Sequence, residues 1–453
     1  MIKKPRDYAV ILSGGEGTRL YSLTARRAKP AVPIMGQYRM IDFPMSNCKK
    51  SNIDFIDILV QYQPDSLQRH LNAGTPWGYS SMNLNIYGMK QTREDGVVTF
   101  GGTADAVHAN MHRIQDKDPA IVLILSGDHV YDQNYRDSID EHIARGSNLT
   151  IYTQVKPLTE ARNFGVLRVN SAGRIIDFEE KPQEPARIQD FKLDSKAKER
   201  LGIKEQKDIC LVSMGIYIFS PQRLYEQLGV GGLDFGKHII PRMVADKKEE
   251  VHAYVFNGYW EDVGRLDKLI DANFYSINHP DEVFSPYLIT NMRNLPGAVV
   301  KGELRNSIIS PGCVIEEGAI VEGSILGYQT IVRTGATVKN CIIHGGDRHE
   351  TDASGDIIKH HRHYQSIIGR DAFLQYVLLD RNIHVEDAKE GKNVRLIGKQ
   401  NPEKIEKALE SIGLERNNEE HPYGLFNITD TGFIVVGKPL YNKELLFKAG
   451  FQL

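Results

Sequence analysis

The segment 8–20 reads YAVILSGGEGTRL, five apolar residues that run directly into a glycine-rich turn. The continuous apolar run indicates a buried strand, and glycines let backbone N–H groups approach a phosphate closely. Two familiar phosphate motifs are excluded, because no Lys-Ser/Thr pair follows Gly17 and Leu20 occupies the third glycine position of G-x-G-x-x-G. Arg19 adds a permanently charged fork. The segment therefore predicts a strand followed by either a nucleoside triphosphate site or an ordinary surface turn.

Apolar runs alternate with helical patterns over the first 280 residues. AIVLILSGD, residues 120–128, is the kind of continuous apolar strand found in buried parallel sheets. Before it, Thr103 can cap a helix that carries Val107, Met111 and Ile114 on one face. The predicted fold is α/β, with a Rossmann-like and mostly parallel sheet in a domain spanning residues 1–280.

A different spacing begins after a linker predicted at 281–296. Apolar residues then recur every six positions, at Ile308, Val314, Ile320, Leu326, Val332 and Val338. Six is neither the helical nor the strand period, and it is typical of a left-handed parallel β-helix built from hexapeptide repeats. The spacing breaks at His344 and resumes at Ile367, Phe373, Leu379 and Val385.

The second domain is predicted at 297–453. The polar segment 344–366 between the two runs of repeats is expected to be an extruded loop. Near the end, a helix is expected from Asn401 to Gly413, followed by a hairpin around Asp430-Thr431-Gly432.

Bulk composition excludes several classes of protein. Lys and Arg number 56 against 58 Asp and Glu, so the chain as a whole does not resemble a nucleic-acid-binding protein. The four cysteines lie far apart without a C-x-x-C pair, which favours a reduced, cytoplasmic protein without a zinc framework. Neither a signal peptide nor a membrane span is expected.

Charged residues follow several apolar runs, where an open parallel sheet places its ligand site. Asp128 ends one run and Asp262 follows another, and two such carboxylates could share Mg²⁺ or could each cap a turn. Glu180 and Lys181 end a third run. Lys29, stiffened by the prolines after it, could point back to the glycine turn or lie on the surface.

Ten stretches carry a resemblance. They are SGGEGTRL, RRAKPAVP, RMIDFPMSNC, GTADAV, SGDHVY, FGV, EEKP, SMGIYIF, DFGKHIIP and WEDVG. In this order, with a β-helix behind them and GFIVVGK near the end, they resemble the sugar nucleotidyltransferases, in particular the bacterial ADP-glucose pyrophosphorylase (glucose-1-phosphate adenylyltransferase) family. The resemblance covers nearly the whole chain.

The resemblance implies transfer of the adenylyl group of ATP to α-D-glucose 1-phosphate, which gives ADP-glucose and pyrophosphate for glycogen-type α-glucan synthesis. It also implies Mg²⁺ as cofactor, a homotetramer and a phosphorylated or nucleotide effector. The implied catalytic residues are Arg19, Lys29, Asp128 and Asp262, of which Asp128 and Asp262 would hold the metal. The implied nucleotide-binding residues are Leu12, Gly14, Gly15, Gly17, Thr18, Arg19, Gln61, Gly102, Thr103 and Asp128. The implied glucose-1-phosphate-binding residues are Phe100, Gly165, Glu180, Lys181 and Ser213.

This sequence departs from the family pattern at two places. The glycine turn begins with Ser13 instead of Ala or Gly, and Thr99-Phe100 stands where Trp followed by Tyr or Phe is usual. Phe100 keeps a ring but lacks the hydroxyl that a tyrosine would offer to the sugar phosphate.

Two alternatives stay open: a non-catalytic regulatory homologue, and a nucleotidyltransferase that uses another nucleoside triphosphate or sugar phosphate.

Two further features of the sequence each allow more than one interpretation. Histidines 344, 349, 360, 361 and 363 could bind a metal, accompany acyl transfer, or belong to a solvated or interface loop. A basic run could bind an effector or could be a solvated face; it comprises Arg26, Arg27, Arg39, Lys49 and Lys50.

Overall fold

The computed structural model describes residues 6–88, 91–93, 96–98, 100–201, 203, 207–291, 295–346, 365–388, 395–399, 426–437 and 451–452. Contacts divide the chain into two compact units that interleave along the sequence. The first unit contains the chain up to Gly15, Phe43–Pro64 and Leu71–Trp260. The second contains Glu16–Asp42, Asp65–His70 and the chain from Glu261 onward. The domain boundaries given above remain predictions.

A nine-stranded mixed sheet is the centre of the first unit. Its path runs through the strands Ile175–Glu180, Gly165–Val169, Ile209–Phe219, Ile121–Ser126, Asp7–Ser13, Phe55–Val60 and Leu84–Gly88; Leu149–Pro157 pairs with Ile209–Phe219 and with Val251–Val255. The last four strands of the path are parallel to one another. Their apolar side chains are buried because helices cover such sheets.

The predicted α/β class is confirmed, and the strand expected around Ser213 is present, but its antiparallel direction was not predicted. Ile209–Phe219 is antiparallel to three neighbours, Ile121–Ser126, Leu149–Pro157 and Gly165–Val169. The C-terminal half of this strand pairs with Ile121–Ser126, and its N-terminal half pairs with Gly165–Val169. Ser213 therefore lies on the side of the sheet that contains the strand ending at Glu180. The sheet is therefore parallel in its centre and antiparallel beside the predicted sugar-phosphate residues.

The α-helices are Asp42–Lys50, Pro64–Leu71, Thr103–Ala109, Met111–Gln115, Arg136–Ala144, Pro185–Asp190, Ser195–Arg200, Pro221–Val230, Ile240–Ala245, Leu266–Asn278 and Pro280–Val283. Short 3₁₀ helices cover Thr18–Thr24, Lys29–Ala31, Asn72–Trp77 and Leu158–Asn163, and a π-helical turn covers Phe235–Ile239. Within the ranges that the structure describes, no helix has both the length and the apolar character needed to cross a membrane.

The helix expected from Thr103 is shorter than predicted. It ends at Ala109, and a second helix begins at Met111, so the apolar stripe is divided by Asn110. Thr103 is the first helical residue instead of the cap, which is Gly102. The buried positions Val107 and Ile114 were predicted correctly.

The second unit contains a solenoid of short strands arranged as three sheets. Its strands pair in parallel except for Phe426–Ile428 and Phe451–Gln452, which pair antiparallel with their neighbours. The strands are Val299–Val300, Glu303–Arg305, Ile308–Ile309, Val314–Ile315, Ile320–Glu322, Ile325–Leu326, Thr330–Val332, Thr337–Lys339, Ile342–Ile343, Ser366–Ile368, Phe373–Gln375, Val377–Leu379, His384–Val385, Arg395–Ile397, Phe426–Ile428, Ile434–Val436 and Phe451–Gln452. Other short strands are Pro33–Ile34 and Tyr38–Arg39 in this unit, Gln91–Arg93, Gly96–Val98 and His129–Tyr131 in the first unit, and Trp260–Asp262 at the boundary.

The repeat was predicted correctly, but some of the residues expected to point into the solenoid do not. Ile315 pairs with Val332, and Val321 pairs with Val338, so one coil takes 17 residues instead of three full hexads. A strict count of six therefore drifts by one position per coil. Ile315 and Val321 are fully buried, whereas the predicted Val314 and Ile320 are only half-buried.

The predicted loop at 344–366 begins and ends on residues of the solenoid. His344 is buried, and Ser366 starts a strand. Residues 347–364, which include the other four histidines, lie outside the described part of the chain, as does the helix expected at 401–413. The hairpin is confirmed, because Phe426–Ile428 pairs antiparallel with Ile434–Val436 around Gly432.

Candidate active site

The glycine turn and Asp128 follow neighbouring parallel strands of the first unit. Leu12 lies opposite Ser126 in the register, and the Gly127 N–H donates to the Leu12 carbonyl oxygen at 2.9 Å. Because both strands end at the same edge of the sheet, the turn after Ser13 and the carboxylate of Asp128 emerge side by side. This edge is where an open α/β sheet places its ligand.

The turn itself leaves room at its backbone. A Cβ atom on Gly14 would lie 3.4 Å from the Gln61 Oε1 atom, and one on Gly15 would meet nothing within 4 Å. Gln61 directly follows the next strand, Phe55–Val60. The predicted nucleotide residues Leu12, Gly14 and Gln61 are thus grouped at this edge. Ser13, the departure from the family pattern, is buried, and its hydroxyl has no hydrogen-bond partner in the described structure.

Two neighbours, Ser126 and Trp260, orient Asp128 and the histidine beside it. The Ser126 hydroxyl donates to the Asp128 Oδ1 atom, and His129 Nε2 lies 3.8 Å from that same oxygen. The Trp260 indole N–H lies 3.3 Å from His129 Nδ1 and can donate to it, which leaves the proton of a neutral imidazole on Nε2, facing Asp128. The carboxylate is only partly buried, so it fits a hard cation that also keeps water and substrate oxygens.

The predicted sugar-phosphate residues are assembled around one carboxylate. Glu180 Oε2 lies 2.7 Å from the position that a Gly165 Cβ would take and 2.6 Å from that of a Gly236 Cβ. The Lys181 ammonium lies 3.6 Å from Glu180 Oε1 and is more than half exposed. Burial raises the pKa of Glu180, and Lys181 partly opposes this. The group has one recessed carboxylate and one exposed cation, as a ligand with hydroxyls and a phosphate would require.

Ser213 lies on the antiparallel strand Ile209–Phe219, which is separated from the strand of Glu180 by Gly165–Val169. It is buried, and its hydroxyl accepts from the Gly215 N–H at 3.2 Å. Burial raises the pKa of the neighbouring Tyr217, and the charge of Glu180 raises it further. Tyr217, which also hydrogen-bonds with Ser213, therefore lies near enough to Glu180 to feel its charge and keeps its hydroxyl protonated.

The turn before the helix Thr103–Ala109 packs against a distant segment. A Cβ atom on Gly102 would lie 2.3 Å from the Leu233 carbonyl oxygen, so only glycine fits there. That same oxygen accepts from the N–H groups of Ala104 and Asp105 at 2.9 and 3.1 Å. Phe100 is half-buried against the core, and Thr99 lies outside the described residues. Gly102 thus has a packing role whatever it binds.

In the second unit, Gly17 and Lys29 are neighbours. Gly17 has a φ of 74°, and a Cβ atom there would lie 3.3 Å from the Lys29 Cβ and 2.9 Å from the Thr24 methyl group. Lys29 is buried, which excludes the alternative of a solvated surface lysine. The prediction that Lys29 is held against the glycine turn is consistent with this packing.

The same unit brings Arg19 and Asp262 to one glycine. A Cβ atom on Gly264 would lie 3.4 Å from an Arg19 guanidinium nitrogen and 3.6 Å from the Asp262 Oδ1 atom. Thr18 and Arg19 are exposed on the first turn of their 3₁₀ helix. A cation and a carboxylate from segments far apart in sequence therefore both lie close to Gly264, where the glycine leaves space that a side chain would fill.

Part of the basic run is not a solvated face. Arg27 is buried and donates two hydrogen bonds to Asp380, at 2.8 and 3.1 Å, and Arg39 is buried and donates to Ser66. Lys50 forms an ion pair with Asp132 at 2.7 Å. These contacts give the three cations structural partners, and an effector site stays a prediction.

Sequence reasoning missed four residues of the site: His129, Trp260, Asp234 and Gly236. All four lie in quoted stretches, SGDHVY, WEDVG and DFGKHIIP, so their signal was present. Their roles are not readable from spacing, since each depends on a contact between segments far apart along the chain.

Two family models match the chain in the order in which the two folds occur. Residues 8–278 match the nucleotidyl transferase model, and residues 293–414 match the GLGC left-handed parallel β-helix domain. The second match also gives the hand of the solenoid. A sheet edge with a glycine turn and an aspartate, followed by this particular β-helix, leaves one assignment: the chain belongs to the nucleotidyl transferase family and has the domain architecture of the glucose-1-phosphate adenylyltransferases (ADP-glucose pyrophosphorylases).

Proposed function

We propose that this protein transfers the adenylyl group of ATP to α-D-glucose 1-phosphate and releases ADP-glucose and pyrophosphate. One observation carries the proposal: the nucleotidyl transferase match is followed by a match to the GLGC type of β-helix. The first match supports a nucleotidyl transfer, and the second supports the glucose branch. The grouping of Glu180, Lys181 and Ser213 agrees with a sugar phosphate as acceptor.

The triphosphate is proposed to lie over the glycine turn. Gly14, Gly15 and Gly17 allow close approach of backbone N–H groups, and Arg19 and Lys29 supply positive charge to the β- and γ-phosphates. Leu12, Thr18, Gln61, Gly102 and the main chain of Thr103 complete the proposed nucleotide-binding set. Arg19 is exposed and therefore accessible to an anion without a desolvation cost to the free enzyme.

The acceptor is proposed to bind at Glu180. Its recessed carboxylate accepts hydrogen bonds from sugar hydroxyls, and Lys181 holds the phosphate. Gly165 keeps the space around the carboxylate open. Ser213 and Phe100 complete the proposed glucose-1-phosphate-binding set. This arrangement holds the nucleophilic phosphate oxygen by the charge of Lys181 instead of by a covalent bond.

Asp128 and Asp262 are the proposed ligands of Mg²⁺. Asp128, His129 and Asp262 are side chains of a type that could hold a metal ion, and carboxylate oxygens are the donors that Mg²⁺ prefers. When bound, the ion would neutralise charge on the phosphates. Ser126 holds the Asp128 carboxylate in a fixed direction.

The proposed chemistry is an in-line displacement. A phosphate oxygen of the acceptor attacks the α-phosphorus of ATP, the bond to the β-phosphate oxygen breaks, and pyrophosphate leaves from the opposite side. Both reactants are anions, so the residues act by positioning and by stabilising charge. Arg19 stabilises the departing pyrophosphate, and Lys181 holds the attacking phosphate against the repulsion between the anions.

The direct test is pyrophosphate release by the full chain with Mg²⁺, glucose 1-phosphate and each nucleoside triphosphate in turn. ATP is expected to give the highest kcat/KM. Preference for UTP or GTP would replace the adenylyl assignment, and no release with any of the four would support the regulatory alternative. Galactose 1-phosphate and mannose 1-phosphate serve as the matched acceptors.

Asp128→Ala tests the metal assignment. Turnover is expected to fall on the order of 10²- to 10³-fold, because an electrostatic stabiliser of the transition state is lost. Mn²⁺ binding, followed by electron paramagnetic resonance, should weaken in parallel. Asp140→Ala, an exposed aspartate on the helix Arg136–Ala144, is the control and should change neither quantity. Full activity of Asp128→Ala would refute the assignment.

A further inference from the structure

The segment Leu233–Gly236 links the turn at Gly102 to the carboxylate of Glu180. At one end, the Leu233 carbonyl oxygen accepts the N–H groups of Ala104 and Asp105. At the other, the Gly236 backbone lies against Glu180 Oε2, since a Cβ there would come within 2.6 Å of that oxygen. The segment therefore contacts both the proposed nucleotide side and the proposed sugar side of the site.

Thr103 fixes this segment through both functions of its hydroxyl. The Oγ1 atom donates to Asp234 Oδ2 at 3.0 Å and accepts from the Phe235 N–H at 3.2 Å. The other carboxylate oxygen of Asp234 accepts from the Lys237 N–H at 3.0 Å and so begins the helical turn Phe235–Ile239. The single hydrogen of the Thr103 hydroxyl is therefore donated to Asp234.

The position of the segment Leu233–Gly236 affects the Glu180 carboxylate in two ways. Phe235 is buried against Tyr217 and Phe219, with ring centroids 5.7 Å apart in each case, so the segment is anchored to the core. The negative charge of Asp234 is also among the causes that raise the pKa of Glu180, after burial. A shift of Asp234 changes both the space and the charge at the Glu180 carboxylate.

The geometry points to Thr103 as a positioning residue for the sugar phosphate: its hydroxyl holds Asp234 and Phe235 so that Gly236 confines the Glu180 carboxylate. This inference rests on the proposed function and deepens it. Thr103 was predicted to bind the nucleotide, and the inference assigns its hydroxyl to the positioning of the sugar phosphate instead. Binding of the sugar phosphate and ordering of the turn at Gly102 then become coupled, since both depend on the same segment.

The experiment compares Thr103→Val, which removes the hydroxyl and keeps the shape, with Thr103→Ser, which keeps the hydroxyl. Thr103→Val is expected to raise the KM for glucose 1-phosphate roughly three- to tenfold, the effect of losing one ordinary hydrogen bond, because the loss reaches the acceptor only through Glu180. The KM for ATP should change little. Thr103→Ser should restore the wild-type KM. Thr159→Val, an exposed threonine on the 3₁₀ helix Leu158–Asn163, is the matched control.

A second measurement tests the route through Glu180. In a Glu180→Gln background, Thr103→Val should add little to the KM for glucose 1-phosphate, because the two side chains act on one position. An additive effect, or a rise in the KM for ATP alone, would overturn the inference. If Thr103→Val does not fold, Asp234→Asn replaces it, and an unchanged KM for glucose 1-phosphate in that variant would also overturn it.

The proposed function and this inference fail separately. Absence of pyrophosphate release by the wild-type chain with every nucleotide contradicts the proposed function. Normal turnover by the wild type, together with a Thr103→Val variant whose KM for glucose 1-phosphate is unchanged, contradicts only the positioning role.

Discussion

At the scale of single residues, two glycines decide where the Glu180 carboxylate can lie. Gly165 faces it from the neighbouring strand, and Gly236 faces it from the helical turn after Asp234. Neither glycine has a positive φ, so an alanine would be tolerated by the backbone at both positions. The constraint is the space that the carboxylate occupies.

Gly236→Ala should therefore impair use of the acceptor. The new methyl group would lie 2.6 Å from Glu180 Oε2, so the carboxylate must move. We expect kcat/KM for glucose 1-phosphate to fall roughly ten- to hundredfold, since displacement of a positioning group by about 1 Å costs that much. Steady-state kinetics with both substrates varied would measure the effect.

Gly229→Ala is the control for this substitution. Gly229 lies in the helix Pro221–Val230, and a Cβ atom there would meet nothing within 4 Å. This variant should keep wild-type kinetics. Equal kinetics for the two alanine variants would show that the Glu180 carboxylate adapts without cost.

At the scale of elements, a buried ion pair secures the end of a solenoid strand. Asp380 directly follows the strand Val377–Leu379, and Arg27 binds both of its oxygens. His344 Nδ1 lies 3.3 Å from the same carboxylate. Burial raises the pKa of Asp380, but Arg27 and His344 outweigh this and hold the pKa at about 2.

Removing one partner of this pair should be costly. We expect Asp380→Ala to lower the free energy of unfolding by about 3–5 kcal/mol, because Arg27 would remain buried without its carboxylate. Urea denaturation would measure the loss. Glu322→Ala removes the half-exposed pair with Lys339 on adjacent solenoid strands and should cost less than about 1 kcal/mol. Similar losses in the two variants would contradict this ranking.

A buried histidine joins a helix to a strand in the first unit. His142, on the helix Arg136–Ala144, lies 2.8 Å through Nδ1 from the hydroxyl of Thr150 on the strand Leu149–Pro157. Burial, helped by the charge of His252, lowers the pKa of His142 to about 4. The folded state therefore keeps this imidazole neutral at pH values where the unfolded chain binds a proton.

Stability of the first unit should consequently fall as pH decreases from about 6.5 to about 4. The stabilisation is present above the unfolded pKa and is lost as pH falls toward the folded pKa, because only the unfolded state gains the proton. We expect His142→Asn to flatten this part of the profile by roughly 3 kcal/mol, since one pKa unit corresponds to about 1.4 kcal/mol. Urea midpoints across this pH range would measure it, and an unchanged slope in the variant would contradict the assignment.

At the scale of the whole molecule, assembly remains a prediction from the resemblance. The family is usually tetrameric, and solenoid domains commonly take part in assembly. Light scattering after size exclusion should give about four times the chain mass of 51.1 kDa. A mass of 51.1 kDa at micromolar concentration would contradict the tetramer and would not affect the proposed chemistry.

Much of the molecule was predictable because its patterns are local. A continuous apolar run followed by glycines predicts a strand and a turn, and Asp7–Ser13 with Gly14 confirms this. A spacing of six predicts a solenoid, which the three sheets confirm. The spacing of six was wrong about which residues point inward at Val314 and Ile320. One coil there takes 17 residues, and this length depends on how the whole coil closes, which the six residues of one repeat do not show.

The sequence by itself determined the two folds, their order along the chain and the types of side chain that the site offers, because strand, turn and repeat signals act between near neighbours. Only the tertiary structure decided which groups meet. The Thr103 hydroxyl reaches Asp234, two glycines confine Glu180, and Arg27 is buried on Asp380. Each of these contacts joins segments distant in sequence, and such contacts are set by packing of the whole chain instead of by any local pattern.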